Sequence, residues 1–505
     1  MERLPHEIVC RIFSYLQSPD LKHARLVSSD LKTAASRHLF SRILIAPRRD
    51  VLSVFRRVYE HDTYRLYVKQ IVYDGSIYDV SLARSAETYI SSLIYAEDGD
   101  RLLRLVTIAS GFGIVANSMI LYLRQSYERY LQACIEQEKI RAAFDDWHAL
   151  IRGLEAMPGV RRLTYSNHTG HHLPAESITK DIAVVARCVQ SAAEGDYAHL
   201  PRLFRDRGVF TMLHAMTEVP GNTVREIRLR GHLGHGISPN FFCRDIPDVR
   251  RAGTAFNHVH TIQLDFHNPH CDDVYSASWS SYDEYLNGRT LGSFLDNACA
   301  LERLEMSFTT VCWAEGKEEI GQLCDEQGPM LPIFLGRTTW SRLRVLKLAG
   351  LAAHEAEFAD LLKRHASTLE HVSLTKCLLS TGLWANLIKV LVFRRNVRHF
   401  LIVDCYDHLN ENEDGYNVYV RAHSVPYQVQ KSDKLPKLPC NPAQYDTTEP
   451  ARWTFTRRVA SGAGFWTSFG AADRQAMTRR VLDGEGLKSV TNLNTFYHRM
   501  SLSLM

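Results

Sequence analysis

The stretch "LRVLKL" at residues 343–348, with "LEHVSL" at 369–374 close behind it, decides how this chain is read. In both, apolar residues stand at the first, fourth and sixth positions, and the alternation over the last three is that of a short strand with one buried face. The same pattern recurs as "VKQIVY" from Val68, "VRRLTY" from Val160, "VREIRL" from Val224, "VHTIQL" from Val259, "LERLEM" from Leu301 and "VRHFLI" from Val397. Helical sequence precedes several of them. Val51, Val54, Phe55 and Val58 form a stripe before Val68, "TLGSFLDNA" lies before Leu301, "MLPIFLG" before Leu343 and "EFADLLKRHA" before Leu369. A helix–loop–strand unit of this size cannot bury both its strand face and its helix stripe, whereas a parallel stack of such units can.

Leu343, Leu369 and Val397 are evenly spaced, but long intervals separate Val68, Val160 and Val224, so the early part either holds insertions or hides further units. Strand alternation sends the second and third apolar residues of each pattern inward and the residues around them to the opposite face. That rule places Arg162, Thr164, Ser166, Glu226, Arg228, Arg230, Thr261, Gln263, Asp265, Arg303, Glu305, Ser307, His371, Ser373 and Thr375 on one polar surface of mixed charge. Beyond Cys405 the sequence becomes polar and proline-punctuated, although "YNVYVRA" alternates like a strand. Residues 406–505 therefore read as a cap over the last unit.

The first forty residues differ in kind. Leu4-Pro5 precedes Ile8, Ile12, Phe13 and Leu16 on a short helix begun by proline, Ser18-Pro19 starts a second helix with Leu21, Ala24 and Val27 on one face, and Ser29-Asp30 offers capping oxygens to a third carrying Leu31, Ala34, Ala35 and Leu39. Three helices in forty residues bury too little surface to stand alone without a staple. No disulfide or metal pattern supplies one, which points to a partner protein covering part of this surface. The run Leu4-Pro5, Glu7-Ile8, Ile12-Phe13, Leu16, Asp20-Leu21, Arg25-Leu26-Val27-Ser28, Leu31 and Leu39-Phe40 resembles an F-box, with leucine at position 31 where many members carry tryptophan. The resemblance implies binding of a Skp-type adaptor and, through it, a cullin. Leu4, Pro5, Ile8, Ile12, Phe13, Leu16, Leu26, Val27 and Leu31 are the candidate adaptor-binding residues, some of which serve the module's own core. The recurring strand pattern resembles a leucine-rich repeat, and an F-box ahead of irregular leucine-rich repeats is a familiar arrangement.

Composition narrows the remaining choices. Lys plus Arg number 60 against 56 for Asp plus Glu, a formal charge of +4 with both signs interspersed, which argues against nucleic acid as the main partner. The 11 cysteines include no C-x-x-C pair, as expected of a reducing compartment, cytoplasm or nucleus. The opening "MERLPHE" lacks the features of a secretory signal, so no removed targeting peptide is expected. The uncharged run Leu105–Leu123 approaches the length of a membrane span. Its Asn117, Thr107, serines and glycines favour a buried helix or helix pair over a membrane helix. No nucleophile elbow, P-loop or H-E-x-x-H occurs, "GHLGHG" (231–236) lacks a dinucleotide-binding spacing, and no cofactor is expected. His258, His260, His267, His270, Cys271, Asp272 and Asp273 are chemically suited to zinc, but the two histidines read as part of a strand and the rest as the turn after it. "NHTGHH" (167–172) likewise reads as a loop after a strand.

The fold expected is α/β: a three-helix F-box over 1–46, an irregular leucine-rich-repeat solenoid over 47–405 with parallel strands inside and helices outside, and a capping segment over 406–505. The function implied is recruitment of a target protein to a Skp–cullin–F-box ubiquitin ligase by a subunit that is not itself an enzyme. An F-box/repeat scaffold without ubiquitin transfer is the alternative. Arg162, Thr164, Arg228, Arg230, Gln263, Arg303, Glu305 and Ser373 are the candidate target-binding residues, with a solvated, internally paired face as the competing reading of the same arginines.

Overall fold

The computed structural model describes residues 4–78, 80–89, 116–166, 207–219, 221–230, 251–266, 290–308, 330–336, 338–384, 386–387, 396–397, 399–403, 405–409 and 418–421. They are of mixed α/β type and fall into two compact units, the larger drawn from 1–78, 135–180 and 188–430.

The larger unit opens with three helices, α1 (His6–Phe13), α2 (Ser18–Ala24) and α3 (Ser29–Leu39). Pro5 caps α1, proline occupies the first turn of α2, and the Ser28 side chain accepts from the Leu31 amide at 3.2 Å to cap α3, one residue earlier than the expected Ser29-Asp30. A parallel sheet of nine strands follows: β1 (Arg42–Ile45), β2 (Gln70–Asp74), β3 (Arg162–Ser166), β4 (Glu226–Arg230), β5 (Thr261–Phe266), β6 (Arg303–Phe308), β7 (Val345–Ala349), β9 (His371–Thr375) and β11 (His399–Val403). Spatial order follows chain order. Each of the eight hexapeptides supplies one strand, and β2 pairs directly with β3, Gln70 opposite Arg162, so the long interval between them is an insertion and hides no strand of this sheet.

Register aligns two apolar rows through the sheet. One runs Ile71, Leu163, Ile227, Ile262, Leu304, Leu346 and Val372, the other Tyr73, Tyr165, Leu229, Leu264, Met306, Leu348 and Leu374, and all of these are buried. The first apolar residue of each pattern, from Val68 to Val397, is buried too. Just before each strand, two successive amides turn onto one carbonyl of the preceding segment. Arg161 and Arg162 donate to Lys69, Arg225 and Glu226 to Arg161, His260 and Thr261 to Arg225, and the step repeats as far as Glu370 and His371 on Arg344.

Helices cover the apolar face. In α4 (Arg49–Glu60) the buried residues are Leu52, Phe55, Val58 and Tyr59, while Val54 is exposed, so the stripe expected from Val51 and Val54 is rotated toward Leu52 and Tyr59. Helix Asp145–Ala156 approaches α4 so closely that a Cβ on Gly153 would stand 2.6 Å from the Phe55 ring. A Cβ on Gly208, in helix Arg207–Glu218, would stand 2.5 Å from that of Tyr73. One buried polar node ties these layers together. Asp146 is fully buried, accepts from Arg207 at 2.7 and 2.9 Å and takes the Tyr73 hydroxyl. Burial, and after it the Asp146 charge, pushes the Tyr73 phenol well above its ordinary range, so the hydroxyl remains a donor.

The last segments add a second sheet in the order β13-β12-β10-β8, from β8 (Ala352–His354), β10 (Leu378–Thr381), β12 (Tyr406–Leu409) and β13 (Val418–Arg421). Tyr406 continues this sheet, pairing in parallel with Leu378. β13, inside "YNVYVRA", adds antiparallel to β12. Between the two sheets Leu351, Cys377 and Cys405 are buried, and both thiols point at main-chain carbonyls, Cys377 at those of Thr375 (3.5 Å) and Leu348 (3.7 Å) and Cys405 at that of Leu374 (3.5 Å). Leu39 packs on the helical module, Phe40 on the main core, and β1 belongs to the sheet although it lies within 1–46.

In the second unit, drawn in part from Asp79–Cys134, Tyr89 shares a hydrogen bond with Ser126 (2.9 Å) and packs on Tyr130. Helix Ala116–Ala142 begins within the uncharged run Leu105–Leu123, whose first part lies outside the described residues. No helix among the described residues is long and apolar enough to cross a membrane. The segments 167–172, 231–236, 267–273 and 422–505 also lie outside the described residues.

Two stability predictions follow from this packing. Leu346 is fully buried, whereas the neighbouring Lys347 is exposed and holds Glu305 at 3.2 Å. Leu346→Asp should cost at least about 3 kcal/mol in a urea melt by burying an unpaired carboxylate, and Lys347→Ala should stay within roughly 1 kcal/mol of wild type. His365 is buried and stacked on Trp340 with ring centroids 5.2 Å apart. Burial first, and then Arg364, lowers its ring pKa to about 4. A depressed folded-state value means that stability present above the unfolded value of about 6.5 is lost as pH falls toward 4. Compared by melts at pH 7 and 4.5, the stability difference between His365→Leu and wild type should move in the variant's favour by roughly 2–3 kcal/mol.

Candidate functional site

Two surfaces in the larger unit carry the residues singled out from sequence. The first belongs to the three-helix module. Val9, Phe13 and Leu16 of α1 and its following turn pack with Leu21, Leu31, Ala34, Ala35 and Leu39 to form a small core of its own. The opposite side of α1 is apolar as well: Leu4 (59% exposed), Ile8, Ile12 and Tyr15 all lie open, and Leu26 (84%) and Val27 (71%) project from the turn after α2. A helix that is apolar on two sides, with one side packed and the other in water, has the form of half an interface.

The candidate adaptor-binding residues therefore divide. Leu4, Pro5, Ile8, Ile12, Leu26 and Val27 are exposed. Phe13, 7% exposed, is an internal packing residue, and this corrects its assignment to the partner-facing set: its ring fills the only core the module has. Leu16 and Leu31 are half-buried against that core. Tyr15 was missed from sequence, although its spacing from Leu4, Ile8 and Ile12 continues the same helical stripe.

The module is fastened to the sheet through aromatic side chains. The Arg25 guanidinium lies 5.2 Å from the Phe40 ring centre and donates to the Tyr64 hydroxyl at 3.1 Å, Phe40 stacks on Tyr64 at 4.2 Å, and His61 stacks on Tyr64 at 3.8 Å. Arg37 adds a contact over the Tyr67 ring at 5.7 Å.

The second surface is the polar face of the nine-stranded sheet, opposite the helices. Register brings Arg162, Glu226, Thr261 and Arg303 into one row and Thr164, Arg228, Gln263, Glu305, Lys347 and Ser373 into the next. Of the candidate target-binding residues, Arg162, Arg228, Arg230, Gln263, Arg303, Glu305 and Ser373 are partly accessible. Thr164 is not. It is buried with Ser166, Val72 and Asp74 where both faces of β2 and β3 are covered, and it accepts from Gln70 at 2.9 Å, so it is withdrawn from the accessible set.

Side chains across this face are heavily paired. Glu226 receives both Arg162 (2.6 Å) and Arg228, Arg230 donates to Gln263 at 3.0 Å, Ser307 donates to Asp265 at 2.7 Å, and Glu305 receives Arg303 and Lys347. Burial alone would raise the Glu305 carboxyl, but the bonds from Arg303 and Lys347 outweigh it and hold it below its ordinary value. At Asp265 burial wins over Ser307 and Arg230, and the carboxyl is raised. These pairs match the internally paired reading of the face. Among the described residues no cluster of histidine, cysteine or carboxylate is arranged to hold a metal. His258 is exposed and His260 faces Glu302 at 3.2 Å in the turn before β5, so neither lies on the strand as expected.

Comparison with known proteins gives one match: the F-box-like family model matches residues 1–46. No curated protein matches the chain. The exposed apolar helix surface, its separate small core and its attachment to a parallel sheet therefore belong to a chain that carries an F-box-like domain over residues 1–46.

Proposed function

We propose that this chain recruits a target protein to a Skp–cullin–F-box ubiquitin ligase, with its F-box-like domain binding the Skp-type adaptor and its leucine-rich-repeat sheet presenting the polar face to the target. The observation that carries the reading is the open apolar patch of Leu4, Ile8, Ile12, Leu26 and Val27 on a segment that matches the F-box-like family. Fully covering side chains of this size contributes roughly 1.5–3 kcal/mol each, enough for a handful to drive a specific interface.

The repeat reading draws on the chain-ordered parallel sheet and on a longer periodicity than sequence inspection used. Leu369, Val372, Leu374, Cys377 and Leu379, and again Val397, Phe400, Ile402 and Cys405, follow the leucine-rich spacing L-x-x-L-x-L-x-x-C-x-L, with the cysteine thiol directed to main-chain carbonyls at the turn. Irregularity enters by insertion after β2, β3, β4, β5 and β6.

In this reading the chain contributes no bond chemistry. A target held on a sheet that is fastened to the adaptor-binding module has its lysines brought to the ubiquitin-transfer machinery at high effective concentration. The Arg25–Phe40–Tyr64 stack supports that geometry, because it replaces a flexible linker by a fixed joint.

Ile8→Asp combined with Leu26→Asp should abolish co-purification of a Skp-type adaptor, and of the cullin behind it, while leaving the melting temperature unchanged, because both side chains are already in water. Phe13→Ala should instead lower the melting temperature of the module, at a cost of about 3 kcal/mol or more. Retained adaptor binding in the double variant would overturn the assignment, and adaptor binding without any cullin would favour the scaffold alternative.

A further inference from the structure

The charge pairs of the polar face are unevenly distributed. Toward β6 and β7 the acids and bases balance locally, with Glu305 between Arg303 and Lys347. At the other end four cations, Arg42, Arg162, Arg228 and Arg230, face two carboxylates: Glu226, which takes Arg162 and Arg228, and Asp265, which lies near Arg230. Glu226 already serves Arg162 and Arg228. Arg230 spends its bond on the neutral Gln263 and leaves its buried Nε without a partner, and Arg42, exposed on the edge strand, has no ion pair among the described residues. Arg42 is repelled by two of the others: after partial burial, Arg230 and Arg162 are what hold it below its ordinary value.

Register fixes their layout. Arg42 and Arg162 stand in one row across two strand spacings, about 10 Å, and Arg228 and Arg230 are two residues apart on one strand, about 7 Å. A single phosphate is too small to meet groups spread over such distances. An extended polypeptide with acidic side chains on every second residue repeats its charges at about 7 Å on one side, the interval between Arg228 and Arg230.

We infer that the β1–β4 end of the polar face is the docking site for an extended acidic segment of a partner protein, carboxylates at alternate residues facing Arg42, Arg162, Arg228 and Arg230. Taking that partner to be the recruited target rests on the function proposed above; the docking of an acidic segment does not. Thr164 and Ser166 are covered on this face, so the segment meets guanidinium groups and not the strands of β2 and β3 themselves.

The test is fluorescence anisotropy on the full chain with a labelled short peptide carrying glutamate at every second position. Controls are the same peptide with glutamine in place of glutamate, and one with the glutamates gathered in a block. The alternating peptide should bind best and the glutamine peptide not at all, and raising salt from about 50 mM to about 300 mM should weaken binding. Arg228→Gln with Arg230→Gln should reduce affinity by roughly tenfold or more, and Arg42→Gln, at the sheet edge where folding is least affected, by roughly threefold. Unchanged affinity in Arg42→Gln and in a folded Arg228/Arg230 variant overturns the inference, as does equal binding of the glutamine peptide. Tighter binding of duplex DNA, lost in the same variants, also overturns it by making the site one for nucleic acid. Adaptor binding measured on the same samples separates the two claims. Adaptor retained without peptide binding defeats only this inference, and peptide binding without adaptor defeats only the ligase reading.

Discussion

A parallel strand has no partner within its own segment: every main-chain bond it makes along the sheet goes to the strand before or the strand after. In this chain that requirement is met by one repeated step, two amides entering each strand by turning onto a single carbonyl of the previous segment. Because the step is the same at Lys69, Arg161, Arg225, His260, Glu302 and Arg344, it sets the register of every strand that follows. Register in turn fixes which face each side chain takes, since a slip of one residue would turn Leu163, Ile227 and Leu304 outward and bring Arg162, Glu226 and Arg303 into the core. The helices, the Asp146 node and the polar face all inherit their positions from this ladder. Length between steps is free by comparison, because a loop that leaves one strand and returns to the next costs only slowly more as it grows.

The helical module depends on the same sheet. Its own core is Phe13, Leu21, Ala34 and Ala35 with a few half-buried neighbours, too little to stand alone. What holds it in place is Arg25 against Phe40 and Tyr64, and Phe40 occupies the place in the β1 segment that Val68 occupies before β2. The module therefore borrows order from the first step of the ladder. This leaves its other apolar side available for a partner, and the stack gives that partner a defined direction relative to the sheet.

Much of this was legible in the sequence, and the misses have physical causes. The strands were readable because their inner positions are leucine, isoleucine or valine almost throughout. β1 carries the same signature, Phe40, Ile43 and Ile45, but those residues adjoin a helical module whose pattern runs up to Phe40 and hides where one period gives way to the other. The adaptor candidates mix packed with open residues, because an α1 that is apolar on two sides gives no sign of which side is packed. Thr164 was misplaced because alternation reports which face a residue takes and not whether other chain covers that face. The second sheet was missed because β8, β10 and β12 are very short, although Cys377 and Cys405, each eight residues after its leading apolar position, marked the turn that leads into it.

The polar face is where the ladder places no demand, since its residues can change without disturbing register or core. Near β6 that freedom is used to cancel charge: Glu305 sits between two cations and is more acidic than an isolated glutamate. Near β1 to β4 cations outnumber the acids beside them, Arg42, Arg162, Arg228 and Arg230 against Glu226 and Asp265, and Arg42 is repelled by Arg230 and Arg162. Like charges held together by a fold cost stability, and the cost falls when opposite charge arrives. Binding and folding are linked, so an anion that relieves this repulsion stabilises the strands carrying it by the same free energy with which they favour the anion. The edge of the sheet that orders the helical module is thus also the edge that gains most from an acidic partner, which couples the two surfaces of the unit through the stability of β1 and without any change of shape.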